Sequence, residues 1–135
     1  MSHIEQIPAY LTWKIRHKVM YPDLDFDKVI LPNDEDGVHL GLFTDNTLIT
    51  VVSLFRTGDS MQFRKFATLS EYQHKGYGSE ILRYLMEYSK NEGCNHIWCN
   101  ARKSASGFYS SFGFIETEKI SHANGYDYVI MGRTL

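Results

Sequence analysis

Residues 71–82 read EYQHKGYGSEIL: a polar and basic approach, two glycines one residue apart, and an apolar repeat beginning directly behind them. A helix that opens here leaves its first N–H groups without internal partners, and its dipole puts partial positive charge on them. Gly76 and Gly78 let a ligand approach the backbone with no Cβ in the way. Consecutive amides then form a concave nest for phosphate oxygens, and a pyrophosphate suits it. His74 and Lys75 add charge, and Ser79 adds a hydroxyl. Two familiar phosphate motifs are excluded: there is no GxxxxGK[ST], and GYGSEI lacks the third glycine of the dinucleotide fingerprint. On this stretch alone, a tight turn that needs glycine for its geometry is an equally good reading.

The cysteines suggest less chemistry. CNHIWC places Cys94, His96 and Cys99 close together. If 96–101 is a strand, alternation sends His96 and Cys99 to opposite faces, and no second ligand pair exists. Two reduced, buried cysteines and no metal site are expected.

The surrounding elements follow from periodicity. In 9–22, Leu11, Ile15 and Val19 recur at helical spacing, and Pro22 closes the helix. Residues 23–37 are acidic and turn-rich, a loop with a short extended or helical piece. Residues 38–44, 47–56 and 61–69 read as strands of an antiparallel meander, with turns at Asp45-Asn46 and TGDS. Behind the glycines, Ile81, Leu82, Leu85 and Met86 share one helix face and Glu80, Arg83, Glu87 and Lys90 the other. Gly93 caps that helix, and 96–101 is the next strand. Strand, helix, strand makes a crossover, so 61–69 and 96–101 are expected to be parallel neighbours. A short helix at 104–112 ends at Gly113, and 114–120 with 126–135 form a closing hairpin around SHANG.

Bulk composition fits one α/β domain spanning 1–135. The chain is 43% hydrophobic and carries a net charge of −2, which argues against a dedicated nucleic-acid binder. No apolar run approaches the roughly 18 residues of a membrane helix. MSHIEQIPAY lacks the pattern of a secretory signal, so the cytoplasm is the expectation.

QHKGYG resembles the Q/R-x-x-G-x-G/A signature of the GNAT family of N-acetyltransferases. It follows RKFATLSEY, which resembles that family's strand and turn, and precedes an amphipathic helix. Further on, ASGFYSSFGF resembles the family's A-x-x-F-Y-x-x-x-G-F element. The resemblance covers 38–135; the first 37 residues match only as the family's variable helical region. It implies a mixed, mostly antiparallel sheet with helices on both faces. Its central parallel pair, here 61–69 and 96–101, splays to hold coenzyme A. It also implies acetyl-CoA as co-substrate, a pantetheine arm on the backbone of Phe66, Ala67 and Thr68, and a pyrophosphate on Gln73, His74, Lys75, Gly76, Tyr77, Gly78 and Ser79. Many members carry Asn three residues before the alanine matching Ala105. This chain has Arg102 there and Asn100 two residues earlier. Both are candidates for holding cofactor, and Arg102 reads equally as a solvated surface arginine.

The implied reaction is attack of an amine on a thioester carbonyl. It requires a neutral amine, stabilisation of an oxyanion, for which the Thr68 amide is a candidate, and a proton for the departing thiolate. Tyr109 matches the family tyrosine near the cofactor sulfur, and a phenol stays protonated at neutral pH. His39, Glu71, His122 and Asp127 are candidates for a base, with none preferred. The acceptor, a small-molecule or protein amine, is not written in the sequence. Arg16, Arg56 and Arg64 favour an acidic acceptor if they line the cleft, and PNDEDG favours a polyamine; surface solvation explains both equally. A homodimer is common in the resembled family. A coenzyme A-binding sensor or scaffold without turnover is the rival reading, and a different acyl donor such as succinyl-CoA is a second.

Overall fold

The computed structural model describes residues Met1–Leu135. The chain forms two compact units, 1–55 with 63–88, and 56–62 with 89–135.

The first unit is built on four strands: β1 (Ser2–Ile7), β2 (Val38–Thr44), most of β3 (Thr47–Thr57) and the later part of β4 (Ser60–Thr68). The Asp45-Asn46 turn has φ of +50° and +64°, the left-handed pair that matches the twist of a two-residue hairpin. β3 is buried without a break from Ile49 to Phe55. Such a continuous run marks a strand covered on both faces, which is why TLITVVSLF is β-branched and apolar rather than alternating. Its polar exceptions are paired: Thr50 Oγ1 lies 3.0 Å from Thr68 Oγ1, and Ser53 joins the network described below. β1 pairs antiparallel with β2, from Ser2 opposite Thr44 to Ile7 opposite His39. The sequence gives no warning of it, because SHIEQI carries no clean alternation and only Ile7 is buried.

The helix expected over 9–22 is α1 (Tyr10–Ile15), loosened into a π-helical turn over Arg16–Met20. Ile15 packs with Ile7, Val51 and Ala67, and Val19 and Met20 lie against that cluster. The acidic stretch holds two short 3₁₀ turns, Phe26–Val29 and Asp34–Asp36. α2 (Tyr77–Asn91) buries Ile81, Leu82 and Leu85 completely, as its pattern predicts.

The second unit holds β5 (His96–Arg102), α3 (Ser106–Ser110), β6 (Ile115–Ala123) and β7 (Tyr126–Thr134). The expected 104–112 helix is shorter than its pattern suggested, a 3₁₀ turn over Lys103–Ala105 followed by α3. β5 and β6 each pair antiparallel with β7. β6 is exposed throughout, as the last strand in the order β1-β2-β3-β4-β5-β7-β6. Its register slips between Glu116 and Ile120, an irregularity of the kind that blunts an edge against further pairing.

Two glycines end helices in the same way. Gly93 (φ +91°) donates to Lys90 O and Cys94 N donates to Ser89 O, each at 3.0 Å. Gly113 (φ +86°) donates to Ser110 O at 3.0 Å and Phe114 N to Tyr109 O at 3.2 Å. Both are Schellman caps, which require a left-handed residue at the turn.

Candidate active site

The loop ahead of α2 has the backbone an anion site needs. A 3₁₀ turn over Ser70–Tyr72 leads into it. His74 (φ +61°) and Gly76 (φ +91°) are both left-handed, and the chain turns and bends over 73–76 before the helix starts. The first helical bond to close is Glu80 N to Gly76 O at 3.1 Å. The amides of Tyr77, Gly78 and Ser79 therefore stand ahead of the ladder as orphan donors. A Cβ at Gly76 would meet nothing within 4 Å, so glycine is needed there for its φ rather than for room. His74, Lys75 and Gly76 are exposed, and Tyr77, Gly78 and Ser79 half-buried.

Gln73 is employed differently from its neighbours. Its own amide closes the 3₁₀ turn on Ser70 O at 3.3 Å. Its side-chain Nε2 donates to Thr68 O at 2.9 Å, tying the loop to the end of β4. The carbonyl of Thr68 keeps one lone pair for another donor. Phe66 and Thr68 are half-buried and Ala67 buried. Within β4, Lys65 takes φ +57°, a left-handed residue inside a strand. Its Nζ donates to Tyr21 Oη at 2.7 Å and lies 4.7 Å from that ring's centroid. No local sequence signal marks this kink.

In the second unit, Tyr109 is half-buried on α3, its ring edge-on to Phe108 at 5.2 Å and Phe114 at 6.0 Å. Its carbonyl is held by the cap at Gly113, and Arg133 Nη1 donates to Phe112 O at 2.7 Å. Burial pushes the phenol well above its ordinary value, and charge on Cys99 would act in the same direction. Cys99 is itself pushed up to about 12 by burial. Both groups hold their protons at neutral pH. Cys94 and Cys99 are buried, unbridged thiols.

Asn100 is exposed on β5, opposite Ile130. Arg102 is half-buried at the end of β5, with Cζ 3.9 Å from the centre of the Tyr126 ring. It is thus not the solvated surface arginine that one reading allowed.

Two suggestions from the sequence are corrected by burial. Arg16 is fully buried and cannot line a cleft as a spare cation. Its Nη1 and Nη2 bind Asp34 at 2.8 and 2.9 Å, and further bonds reach Val29 O and Ser53 Oγ. His39 is buried too, with Nε2 2.8 Å from Asp34 O and Nδ1 2.7 Å from Ser53 Oγ. A carbonyl accepts only, so Nε2 donates to Asp34 O, and Nδ1 is taken up by the Ser53 hydroxyl. With both nitrogens engaged in the interior, His39 is no candidate for a base. Among the other basic candidates, Arg56 binds Gly58 O and Glu92 O, and Arg64 lies 5.9 Å from the Phe55 ring centre. His122 and Asp127 are exposed cross-strand neighbours bonded to each other, and Glu71 is exposed.

The comparisons agree with this architecture. The model of the Acetyltransferase (GNAT) family matches residues 6–114. A curated relative, the uncharacterised N-acetyltransferase YitI of Bacillus subtilis, is 28% identical, with 100% of this chain and 97% of that protein covered. Among solved structures, the ribosomal-protein-S18-alanine N-acetyltransferase of Escherichia coli superposes with a TM-score of 0.84 at 18% identity, covering 99% of this chain and 94% of that one. An acetyltransferase of Bacillus subtilis in complex with CoA gives 0.78 at 18%, covering 100% and 99%. The shared fold is a seven-stranded mixed sheet, mostly antiparallel with one parallel pair, flanked by helices. An acyltransferase is the class these findings define, and the chain belongs to the GNAT acetyltransferase family. The match begins at residue 6, so it takes in most of the N-terminal stretch that the motifs matched only as the family's variable helical region.

Proposed function

We propose that this chain is an N-acetyltransferase acting as one catalytic domain, which passes the acetyl group of acetyl-CoA directly to a primary amine, with Tyr109 as the proton donor. The observation that carries the reading is the row of orphan amides at Tyr77, Gly78 and Ser79, reached through left-handed His74 and Gly76. These amides would take the diphosphate, with His74 and Lys75 adding charge. The backbone of Phe66, Ala67 and Thr68 would take the pantetheine, and Asn100 is carried along by resemblance alone.

Acetyl-CoA supplies a thioester whose carbonyl carbon gains a bond to the amine nitrogen as its bond to sulfur breaks. The nitrogen gives up one proton, to water or to an unassigned base, and the sulfur receives one from Tyr109. A phenol with a raised pKa is ordinarily too weak an acid to serve a thiolate. Desolvation, however, strengthens the thiolate's hold on a proton as well, as the value of about 12 for Cys99 illustrates. Donor and acceptor therefore stay matched if the sulfur is equally dry. Holding the two reactants together can supply about 7–11 kcal/mol in well-oriented cases, much of the rate.

Thiol release from acetyl-CoA against a panel of amines tests the proposal. Turnover on some amine, lost or much slowed in Tyr109→Phe with cofactor binding intact, is expected. Tight cofactor binding without turnover on any amine would favour a sensor. Mass spectrometry of the product identifies the acyl group.

A further inference from the structure

Arg102 is placed like a receptor whose ligand comes from outside the protein. Its guanidinium lies on the face of Tyr126, the first residue after the Asn124-Gly125 turn of the β6–β7 hairpin. Nε and Nη2 are buried, and no protein group accepts from either. These two nitrogens share one edge of the planar guanidinium, the side-on fork that binds a carboxylate or phosphate through two parallel bonds. Shielding a cationic donor pair from water with nothing to receive it is costly, and proteins rarely leave such a pair so. Two carboxylates of the same hairpin are already taken: Glu116 by Lys103 and Asp127 by His122. Tyr126 fixes the plane of the fork without using its hydrogens, since a cation over a ring is held by the face alone.

We infer that Arg102, oriented by Tyr126, binds an oxyanion of one co-substrate through its Nε–Nη2 edge and so helps to set specificity. This rests on the transferase reading above. The anion is a carboxylate of the acceptor or a phosphate of the cofactor, and the two sources are separable by experiment.

Arg102→Lys keeps the charge over the ring but has no fork, so the fold is retained; an unchanged thermal midpoint checks this. Calorimetry compares coenzyme A with 3′-dephospho-coenzyme A in the wild type and the variant. Turnover compares amino acids with the amines left by their decarboxylation. The expected result is a loss of about tenfold or more in one arm only. Wild-type preference for the phosphorylated cofactor, abolished in the variant, assigns the phosphate. A wild-type kcat/KM preference for the carboxylated acceptor, abolished in the variant through KM, assigns the carboxylate. Tyr126→Ala should weaken the same arm, and Tyr126→Phe should leave it intact. A folded Arg102→Lys protein that matches the wild type in both arms overturns the inference and leaves the transferase reading standing. A wild type that neither binds coenzyme A nor releases thiol overturns both.

Discussion

Arg16 grips Asp34 through two parallel bonds, Nη1 to Oδ2 at 2.8 Å and Nη2 to Oδ1 at 2.9 Å, with both side chains out of water. The pair anchors the π-helical turn and the acidic loop to β3 through Ser53. Trp13 Nε1 and Leu31 N also donate to Asp34 Oδ2, each at 3.0 Å. Removing one member strands the other's charge, so Asp34→Asn and Arg16→Met should each cost about 3–5 kcal/mol in urea unfolding at pH 7. A loss under 1 kcal/mol would show that the pair is not shielded in solution.

The same pair sets a pH dependence. Burial alone would raise the Asp34 carboxyl, but hydrogen bonds from Arg16, Leu31 and Trp13 outweigh it and hold the group below its ordinary value of 3.8. A depressed folded value means the stabilisation is complete above 3.8 and drains away as pH falls through the lower folded value. Urea midpoints of the wild type should therefore drop below pH 4, with a shallower acid slope in Asp34→Asn. Parallel slopes in the two proteins would count against the assignment.

Gly76 and Gly58 make a matched pair. Both are left-handed, at +91° and +60°, and a Cβ would meet nothing within 4 Å at either. Alanine at each should cost about 1–2 kcal/mol of stability for backbone reasons alone. Only Gly76→Ala should also weaken coenzyme A binding in calorimetry, because only that turn aims the orphan amides. Equal cofactor affinities for the two variants would remove the loop from the site.

Tyr109→Phe should slow thiol release by about 10²–10⁴-fold while leaving the dissociation constant of acetyl-CoA within threefold. Because burial raises the phenol, the wild-type rate should show no decline from this group up to about pH 10. An alkaline fall near pH 8 that disappears in Tyr109→Phe would contradict the raised value.

The two cysteines supply a simple check on packing. Cys94 and Cys99 are 4% and 3% exposed, and burial holds the Cys99 thiol far from ionisation at pH 8. A disulfide reagent needs an accessible thiolate. The native protein should leave both unlabelled over the time in which the urea-unfolded chain reacts at both. Rapid labelling of Cys99 in the native state would show that the region around Tyr109 opens.

Much of the architecture is legible in the residues because its causes are local. β2 through β7 lie within a few residues of where alternation and turn chemistry put them, and Gly93 and Gly113 stop helices as their positions suggest. The orphan amides before α2 follow from a glycine-rich turn meeting an amphipathic repeat. β1 is not legible, because an exposed edge strand buries little and so shows little pattern.

What the sequence determines by itself is therefore the order of elements from the first helix onward, the helix terminus whose leading amides stand outside the ladder, and the family motifs around Gly76 and Tyr109. What only the tertiary structure decides is the state of the charged and polar groups. Arg16, Arg102 and His39 are all polar letters of equal promise in the chain, yet the first is locked to Asp34, the second offers an unfilled fork, and the third is bonded inside the core. Periodicity and capping act across one or two turns of chain, whereas pairing and desolvation join residues as distant as Arg16 and Ser53, whose separation no local pattern encodes.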